Sequence, residues 1–128
     1  MATRSTIGII DNRTGVVTSI YCHWDGYPEH NGEILVKHWS DPDKIWALMD
    51  LGALSSLGEE IGEKHDFNDS GPIHCTAYGR GSQTHNSLGE WLDNGEEYNY
   101  LWDGVRWNCF AGKSIKDTVD LYNIKQSA

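Results

Sequence analysis

Hydrophobic and polar positions near the amino terminus follow the pattern of β-strands. Residues 5–10 (S-T-I-G-I-I) and 16–23 (V-V-T-S-I-Y-C-H) are rich in β-branched side chains, which favour an extended backbone. Between them stands D-N-R-T-G, a turn sequence in which Gly15 can adopt a positive φ. The pattern predicts an amino-terminal β-hairpin.

The apolar spacing then changes to that of helices. Residues 29–39 follow Pro28, whose fixed φ suits the first turn of a helix, and their apolar positions recur at helical spacing. A second helix starts at Ser40 or Asp41, either of which can cap it, and Gly52 is a natural stop.

The middle of the chain carries one clear helix signal among weaker patterns. Ser87 and Glu90 form a capping box ahead of Trp91 and Leu92, which predicts a short helix over residues 87–93. The weaker patterns predict, in chain order, a helical turn at 53–61, a loop at 62–72, a strand at 73–79 and an exposed loop at 80–86.

A second hairpin is predicted over residues 97–110, E-Y-N-Y-L-W-D-G-V-R-W-N-C-F. Asp103-Gly104 between alternating residues is typical of a two-residue turn. The resulting register pairs Trp102 with Val105, Tyr100 with Trp107, and Tyr98 with Cys109. These six side chains would share one face, which a helix or a partner must cover. Residues 114–124 fit either a helix or a strand.

These elements predict the α+β class. We expect a single domain over residues 1–128, with an antiparallel sheet of about five strands in two hairpins and three to four helices packed on one face. A chain of this length buries about two-thirds of its unfolded surface, enough for a core without metals or disulfides.

The charge is negative and unevenly distributed. Residues 25–69 hold eleven acids and three bases, residues 86–104 hold five acids and no base, and the whole chain has a formal charge of −9. Such a surface repels phosphate backbones, so direct nucleic-acid binding is not expected, and it suits a partner protein with a basic surface. The alternative is that the acidity serves solubility alone.

Cysteine usage and hydropathy indicate a soluble, intracellular protein. Cys22, Cys75 and Cys109 are an odd number at wide spacing without C-x-x-C, which favours a reducing compartment. The first residues lack the apolar stretch of a signal peptide, and no run approaches the length needed to cross a bilayer. No membrane association is expected.

The densest group of reactive side chains is Y-C-H-W-D-G-Y-P-E-H-N-G, residues 21–32. Zinc accepts His, Asp and Cys ligands, so His23, Asp25 and His30, together with Cys22, are the candidate metal ligands. The segment lacks the tight pair spacing of compact zinc sites. We interpret it as a strand that turns into a helix, and predict neither a metal nor a cofactor.

Cys22 is also the candidate nucleophile, which would need a depressed pKa and a base held nearby. Adjacent residues of a strand point to opposite faces, so Cys22 and His23 cannot form that pair. Buried cysteine packing as a small hydrophobic residue is the commoner case. No catalytic residue is predicted.

Four segments together resemble a family of small proteins from tailed bacteriophages, cyanophages among them. They are the block at residues 21–32, A-T-R-S-T-I near the start, C-T-A-Y-G-R at 75–80 and E-E-Y-N-Y-L-W at 96–102. The resemblance covers most of residues 2–110. It departs after C-T-A-Y-G-R, where the family's charged stretch is replaced by G-S-Q-T-H at 81–85. It implies a phage origin and a location in the host cytoplasm, and no reaction.

The leading hypothesis is a non-enzymatic phage accessory protein that binds a host protein and modulates host metabolism or defence. Small size, concentrated acidity and surplus aromatic residues motivate it. The candidate contact residues are Trp24, Asp25, Tyr27, His30, Trp39 and Trp46.

Other hypotheses use other residues. A binder of a small ligand, such as a sponge for a nucleotide signal, would use Arg80 with Tyr78 or Tyr98 as a stacking platform. A metal-dependent hydrolase or nuclease would use the neighbourhood of His23, Asp25 and His30. A structural role in the virion is the last alternative. The oligomeric state stays open.

Overall fold

The computed structural model of the chain describes residues 3–60, 76–77, 81–112, 116, 118–119 and 121. Its helices are α1 (Glu33–His38), α2 (Pro42–Leu51) and α3 (Leu88–Asp93), and a π-helical turn at Pro28–Gly32 leads directly into α1. Its strands are β1 (Ser5–Ile10), β2 (Val17–Cys22), β3 (Leu54–Ser56), β4 (Thr76–Ala77), β5 (Gln83–His85), β6 (Tyr98–Trp102), β7 (Trp107–Phe110) and β8 (Thr118–Val119).

Eight strands within the described ranges form one mixed sheet. Its order is β4-β3-β2-β1-β6-β7-β8, and β5 pairs with the amino-terminal half of β2. The predicted amino-terminal hairpin is present, but β1 also pairs in parallel with β6, and β2 in parallel with β3. The α+β class is confirmed. The predicted antiparallel sheet of about five strands is wrong in strand number and polarity, because the parallel partners lie far apart in the sequence.

Helices cover both faces of the sheet, so the prediction that they pack on one face is wrong. On the first face, α1 and α2 pack on β1, β2, β6 and β7 in the larger of two buried clusters. On the second face, Trp91 and Leu92 of α3 pack with Val17, Leu101 and Phe110 in the smaller cluster. These three strand residues are apolar and point away from the larger core, and α3 removes them from water.

The predicted helix caps are confirmed at two of the three helices. Asp41 caps α2 by accepting a hydrogen bond from the Asp43 N–H at 2.9 Å, and Gly52 ends that helix at φ 89°. Ser87 Oγ accepts from the Glu90 N–H at 3.1 Å at the start of α3. Local side-chain chemistry therefore sets where α2 and α3 begin.

The second hairpin is confirmed in place and corrected in register. Trp102 pairs with Trp107 and Tyr100 with Cys109, so residues 103–106 form a four-residue connection in place of the predicted two-residue turn. A shift of two residues keeps the same side chains on the first face. Only Val105 leaves that face, and its side chain is 82% exposed in the connection.

The structure differs from two of the weaker predictions and decides a third. The segment predicted as a helical turn contains β3, the predicted loop at 80–86 contains β5, and β8 bears out the strand alternative for residues 114–124. The loop predicted at 62–72, and most of the strand predicted at 73–79, lie outside the described residues. Among the helices described, none has the length and hydrophobicity required to cross a membrane.

Candidate functional site

Residues 24–30 follow β2 and include the first three residues of the π-helical turn, and they form a surface feature that we call the aromatic turn. Its start is tied to β3, since the backbone N–H groups of His23 and Trp24 donate to the carbonyls of Leu54 and Ser55 at 3.0 and 2.9 Å. These bonds continue the parallel pairing of β2 with β3 and fix where the chain leaves the sheet.

The centre of the aromatic turn is held by the buried Gly26. Its N–H donates to the Thr3 carbonyl at 2.8 Å, and its carbonyl accepts from the Tyr100 hydroxyl at 2.5 Å. A Cβ at this position would lie 2.7 Å from both the Thr3 oxygen and the Ser5 Cβ, so only glycine fits. Asp25 precedes it at φ 57°, the left-handed conformation that Asp tolerates better than most residues.

The end of the aromatic turn is fixed by the fully buried Asn31. Its Nδ2 donates to Ser5 Oγ at 3.3 Å and to Cys22 Sγ at 3.4 Å. Its Oδ1 lies 3.0 Å from His30 Nδ1, and a hydrogen bond there requires a proton on Nδ1. The Cys22 thiol in turn donates to the Trp24 carbonyl at 3.7 Å. The turn is thus linked to β1 and β2 by side-chain bonds as well as by the backbone.

Two large rings stand out from this fixed backbone. Trp24 is 39% exposed and Tyr27 is 38% exposed. Each contacts a histidine: the His23 ring meets Trp24 edge-on at a centroid distance of 4.7 Å, and His30 lies 6.0 Å from Tyr27. The Tyr21 hydroxyl approaches His23 Nδ1 at 2.6 Å. Of the candidates, Tyr27 and His30 are therefore in contact with each other, and Trp24 contacts His23.

Trp39, another of the predicted contact residues, is fully buried and cannot serve as an exposed contact residue. Its indole N–H donates to the Gly58 carbonyl at 2.9 Å, and its own carbonyl accepts from the Trp107 indole at 2.9 Å. The Lys44 ammonium lies 4.4 Å from the centre of its ring. Trp39 joins the helical layer to the sheet.

The remaining candidates are dispersed. Trp46, 43% exposed, lies on the outer side of α2. Tyr98 is half-buried against the larger core. Tyr78 and Arg80 lie outside the described residues, so the nucleotide hypothesis based on them stays a prediction.

The histidines and acids of residues 21–32 do not form a metal-binding group. Across the described part of the chain, no three His, Cys, Asp or Glu side chains are placed so that they could share a metal ion. His23 and His30 instead contact the rings of Trp24 and Tyr27, and Asp25 occupies the left-handed backbone position before Gly26.

The two described thiols are buried. Burial raises the pKa of the Cys109 thiol to about 12 and also raises the pKa of the neighbouring Tyr100 phenol. The thiolate that a nucleophile requires is therefore disfavoured at Cys109. Cys22 is buried as well and bonds to the aromatic turn as described above.

Sequence reasoning did not identify the residues that anchor the aromatic turn. Asn31 left a weak signal, since an asparagine inside a helical pattern is unfavourable unless its amide finds partners. Tyr100 left none, because its bond to Gly26 joins residues 74 positions apart.

Comparison with known proteins gives no family assignment. No family model matches this chain, no curated protein matches it, and no solved structure matches it.

Proposed function

We propose that this chain is a small phage accessory protein that acts in the host cytoplasm by binding a host protein with a basic surface, without catalysing a reaction. The sequence resemblance to tailed-phage proteins supports the origin and the location. Binding would modulate host metabolism or defence.

The observation that carries this proposal is the pair of half-exposed rings, Trp24 and Tyr27, on a backbone fixed by buried hydrogen bonds to Gly26 and Asn31. Aromatic residues dominate the energetics of protein interfaces. A turn that is already rigid loses little conformational entropy on binding, so more of the contact energy appears as affinity.

Trp46 of α2 also supports binding of a partner protein with a basic surface. Asp43 and Asp50 stand three residues before it and four residues after it, so all three share the outer side of the helix, and all three are exposed. An aromatic ring between two carboxylates suits a partner that carries Lys or Arg around an apolar recess.

The charge of the chain supports a basic partner. Trp46 lies within residues 25–69, which hold eleven acids against three bases, and this segment includes Asp25 and Glu29 of the aromatic turn. Complementary charge speeds encounter and selects against acidic partners, and salt screens it over about 8 Å at physiological ionic strength.

The test is affinity capture from lysate of a phage host, cyanobacterial hosts included, with wild-type protein and two variants, Trp24→Ser/Tyr27→Ser and Trp46→Ser. We expect a specific basic host protein to be retained by the wild type at low salt and lost at high salt. Removal of a central aromatic contact costs at least about 2 kcal/mol, so one or both variants should bind the isolated partner roughly 30-fold more weakly.

Val105→Ser is the matched control, since Val105 is the most exposed large apolar side chain described and stands apart from both candidate surfaces, in the β6–β7 connection. It should bind like the wild type. Capture of no specific protein at low salt, or equal binding by all the variants, would contradict the proposal.

A further inference from the structure

A cavity of about 590 Å³ lies on the second face of the sheet, between the strands and the segment that follows α3. Sites for small molecules usually fall between about 300 and 1,000 Å³. Its polar lining comes from three neighbouring strands and from the loop before β6: Thr6, Ser19, Tyr21, Gln83, His85 and Glu96.

Asn99 of β6 is fully buried and supports two of the residues that line this cavity, Thr6 and Glu96. Its Oδ1 accepts from the Thr6 hydroxyl at 2.7 Å and from the Glu96 N–H at 2.9 Å. Its Nδ2 donates to the carbonyls of Glu96 and Gly112 at 3.0 and 2.9 Å. With all four of its bonds made, Asn99 holds Thr6 and Glu96 in place on the cavity wall.

Gly95 adds to the same support, because a Cβ there would overlap the Asn99 amide group. The loop can therefore approach Asn99 only with glycine at that position. A wall fixed in this way is preorganised, which lowers the entropic cost of binding a ligand.

Ser19 supplies a hydroxyl that no other residue in the described part of the chain engages. It lies on β2 opposite Gln83 of β5, its side chain is only 4% exposed, and its hydroxyl makes no hydrogen bond with any described residue. Because Ser19 lines the cavity, its hydroxyl is placed to donate a hydrogen bond to a guest or to accept one from it.

The charge of the lining selects the kind of guest. Among the described lining residues are one carboxylate, Glu96, one histidine, His85, and no Lys or Arg. The hydroxyls and amides of the lining both donate and accept hydrogen bonds, and the partly exposed Tyr21 adds an aromatic ring of the kind on which bases stack.

We infer that this cavity binds a small uncharged molecule of nucleoside size, with Ser19 and the wall fixed by Asn99 contacting its polar groups. A phosphorylated ligand would bring its negative charge beside the Glu96 carboxylate, which would repel it. The inference concerns the second face of the sheet and is independent of the partner proposed for the aromatic turn.

The test is calorimetric titration of the intact chain with adenosine, guanosine, cytidine, uridine and glucose, and with the 5′-monophosphates of the four nucleosides. We expect saturable one-to-one binding of at least one uncharged probe, and binding at least tenfold weaker for its monophosphate. Ser19→Ala should weaken that binding about 3- to 10-fold, the effect of one lost hydrogen bond.

Thr18→Val is the matched control, because Thr18 precedes Ser19 on β2, points to the opposite face and does not line the cavity. It should leave the affinity unchanged, and thermal melts should show both variants folded. Failure of every uncharged probe to bind, tighter binding of a monophosphate, or equal losses in the two variants would overturn the inference.

Discussion

Gly26 shows how much of the aromatic turn depends on one residue. Both of its backbone polar groups are bonded, to Thr3 and Tyr100, and no room remains for a side chain. Because Trp24 and Tyr27 flank it closely in the chain, the contacts of this glycine hold the backbone from which both exposed rings project.

Gly26→Ala should therefore destabilise the protein by about 1–3 kcal/mol, the usual cost of overpacking a closed site. Thermal or urea unfolding measures this loss. Gly89→Ala is the control: the nearest atom to its Cβ lies at 4.0 Å, and alanine within α3 should raise stability by up to about 1 kcal/mol. Equal effects of the two changes would show that the contacts of Gly26 are unimportant.

Two buried groups of the larger core, the Cys109 thiol and the Tyr100 phenol, make the stability of the protein depend on alkaline pH. The pKa of Cys109 is raised by burial from its ordinary 9.0 to about 12, and burial raises that of Tyr100 above its ordinary 10.0. At a pH between the ordinary pKa and the raised pKa, these two groups lose their protons in the unfolded chain but keep them in the folded chain. The free energy of unfolding is thus fully maintained below about pH 9 and falls as the pH rises.

Cys109→Ala should reduce this fall by up to about 1.4 kcal/mol per pH unit between pH 9 and 11. Urea unfolding of both proteins at pH 8, 9, 10 and 11 gives the two slopes. Parallel curves for the variant and the wild type would contradict the prediction.

At the scale of the element, the β6–β7 connection shows what local sequence can specify. Asp103 Oδ1 accepts from the N–H groups of Val105 and Arg106 at 2.8 and 2.9 Å, and Oδ2 accepts from Asn108 Nδ2 at 2.9 Å. Partial burial alone would raise the pKa of this carboxyl, but the three hydrogen bonds outweigh it and lower that pKa. These bonds favour the wider connection over a two-residue turn.

Asp103→Ala should lower the free energy of unfolding by about 1–2 kcal/mol, because Val105 and Arg106 lose their shared acceptor. Asp103→Asn keeps an oxygen that accepts from the two backbone N–H groups. Its loss in the free energy of unfolding should therefore be less than half of the loss caused by Asp103→Ala. Chemical denaturation at pH 7 compares the three proteins. An asparagine variant as unstable as the alanine variant would show that the charge, and not the acceptor, matters.

Elements with a local cause could be predicted from the sequence, and those without one could not. Both hairpins, the starts of α2 and α3, and the aromatic face of the second hairpin follow from short patterns with local causes. The short strands β3, β5 and β8, with two or three residues each, are too brief for a period to appear. The turn within residues 21–32 could be predicted from their sequence. The residues that hold this turn in place could not, because some of them, such as Tyr100, are distant in the chain.

At the scale of the whole molecule, the fold depends on contacts between distant segments. The bond between Thr6 and Asn99 joins residues 93 positions apart, and it lies within the parallel pairing of β1 with β6. No alternation of apolar residues tells a strand which neighbour it will have, so the mixed sheet could not be predicted. That residues 1–128 form one domain stays a prediction.

Trp39 is where the helical layer and the sheet meet, and its replacement should affect the entire molecule. Trp39→Phe removes the bond to the Gly58 carbonyl and leaves a void, so we expect a loss of about 2–4 kcal/mol in global stability. Trp46→Phe is the matched control on the exposed side of α2 and should change stability by less than about 0.5 kcal/mol. Calorimetric melting of both variants tests the contrast, and similar melting temperatures would refute it.

The central position of β1 has a consequence for how the chain reaches its native state. The ribosome makes β1 and β2 first, whereas β6 follows only after all the residues between β2 and β6 have been synthesised. Until then one side of β1 has no partner, and such an edge is prone to wrong pairing with other nascent chains. Folding should accordingly be slow for a protein of this size, and the yield of native protein should depend on chaperones and on the temperature of synthesis.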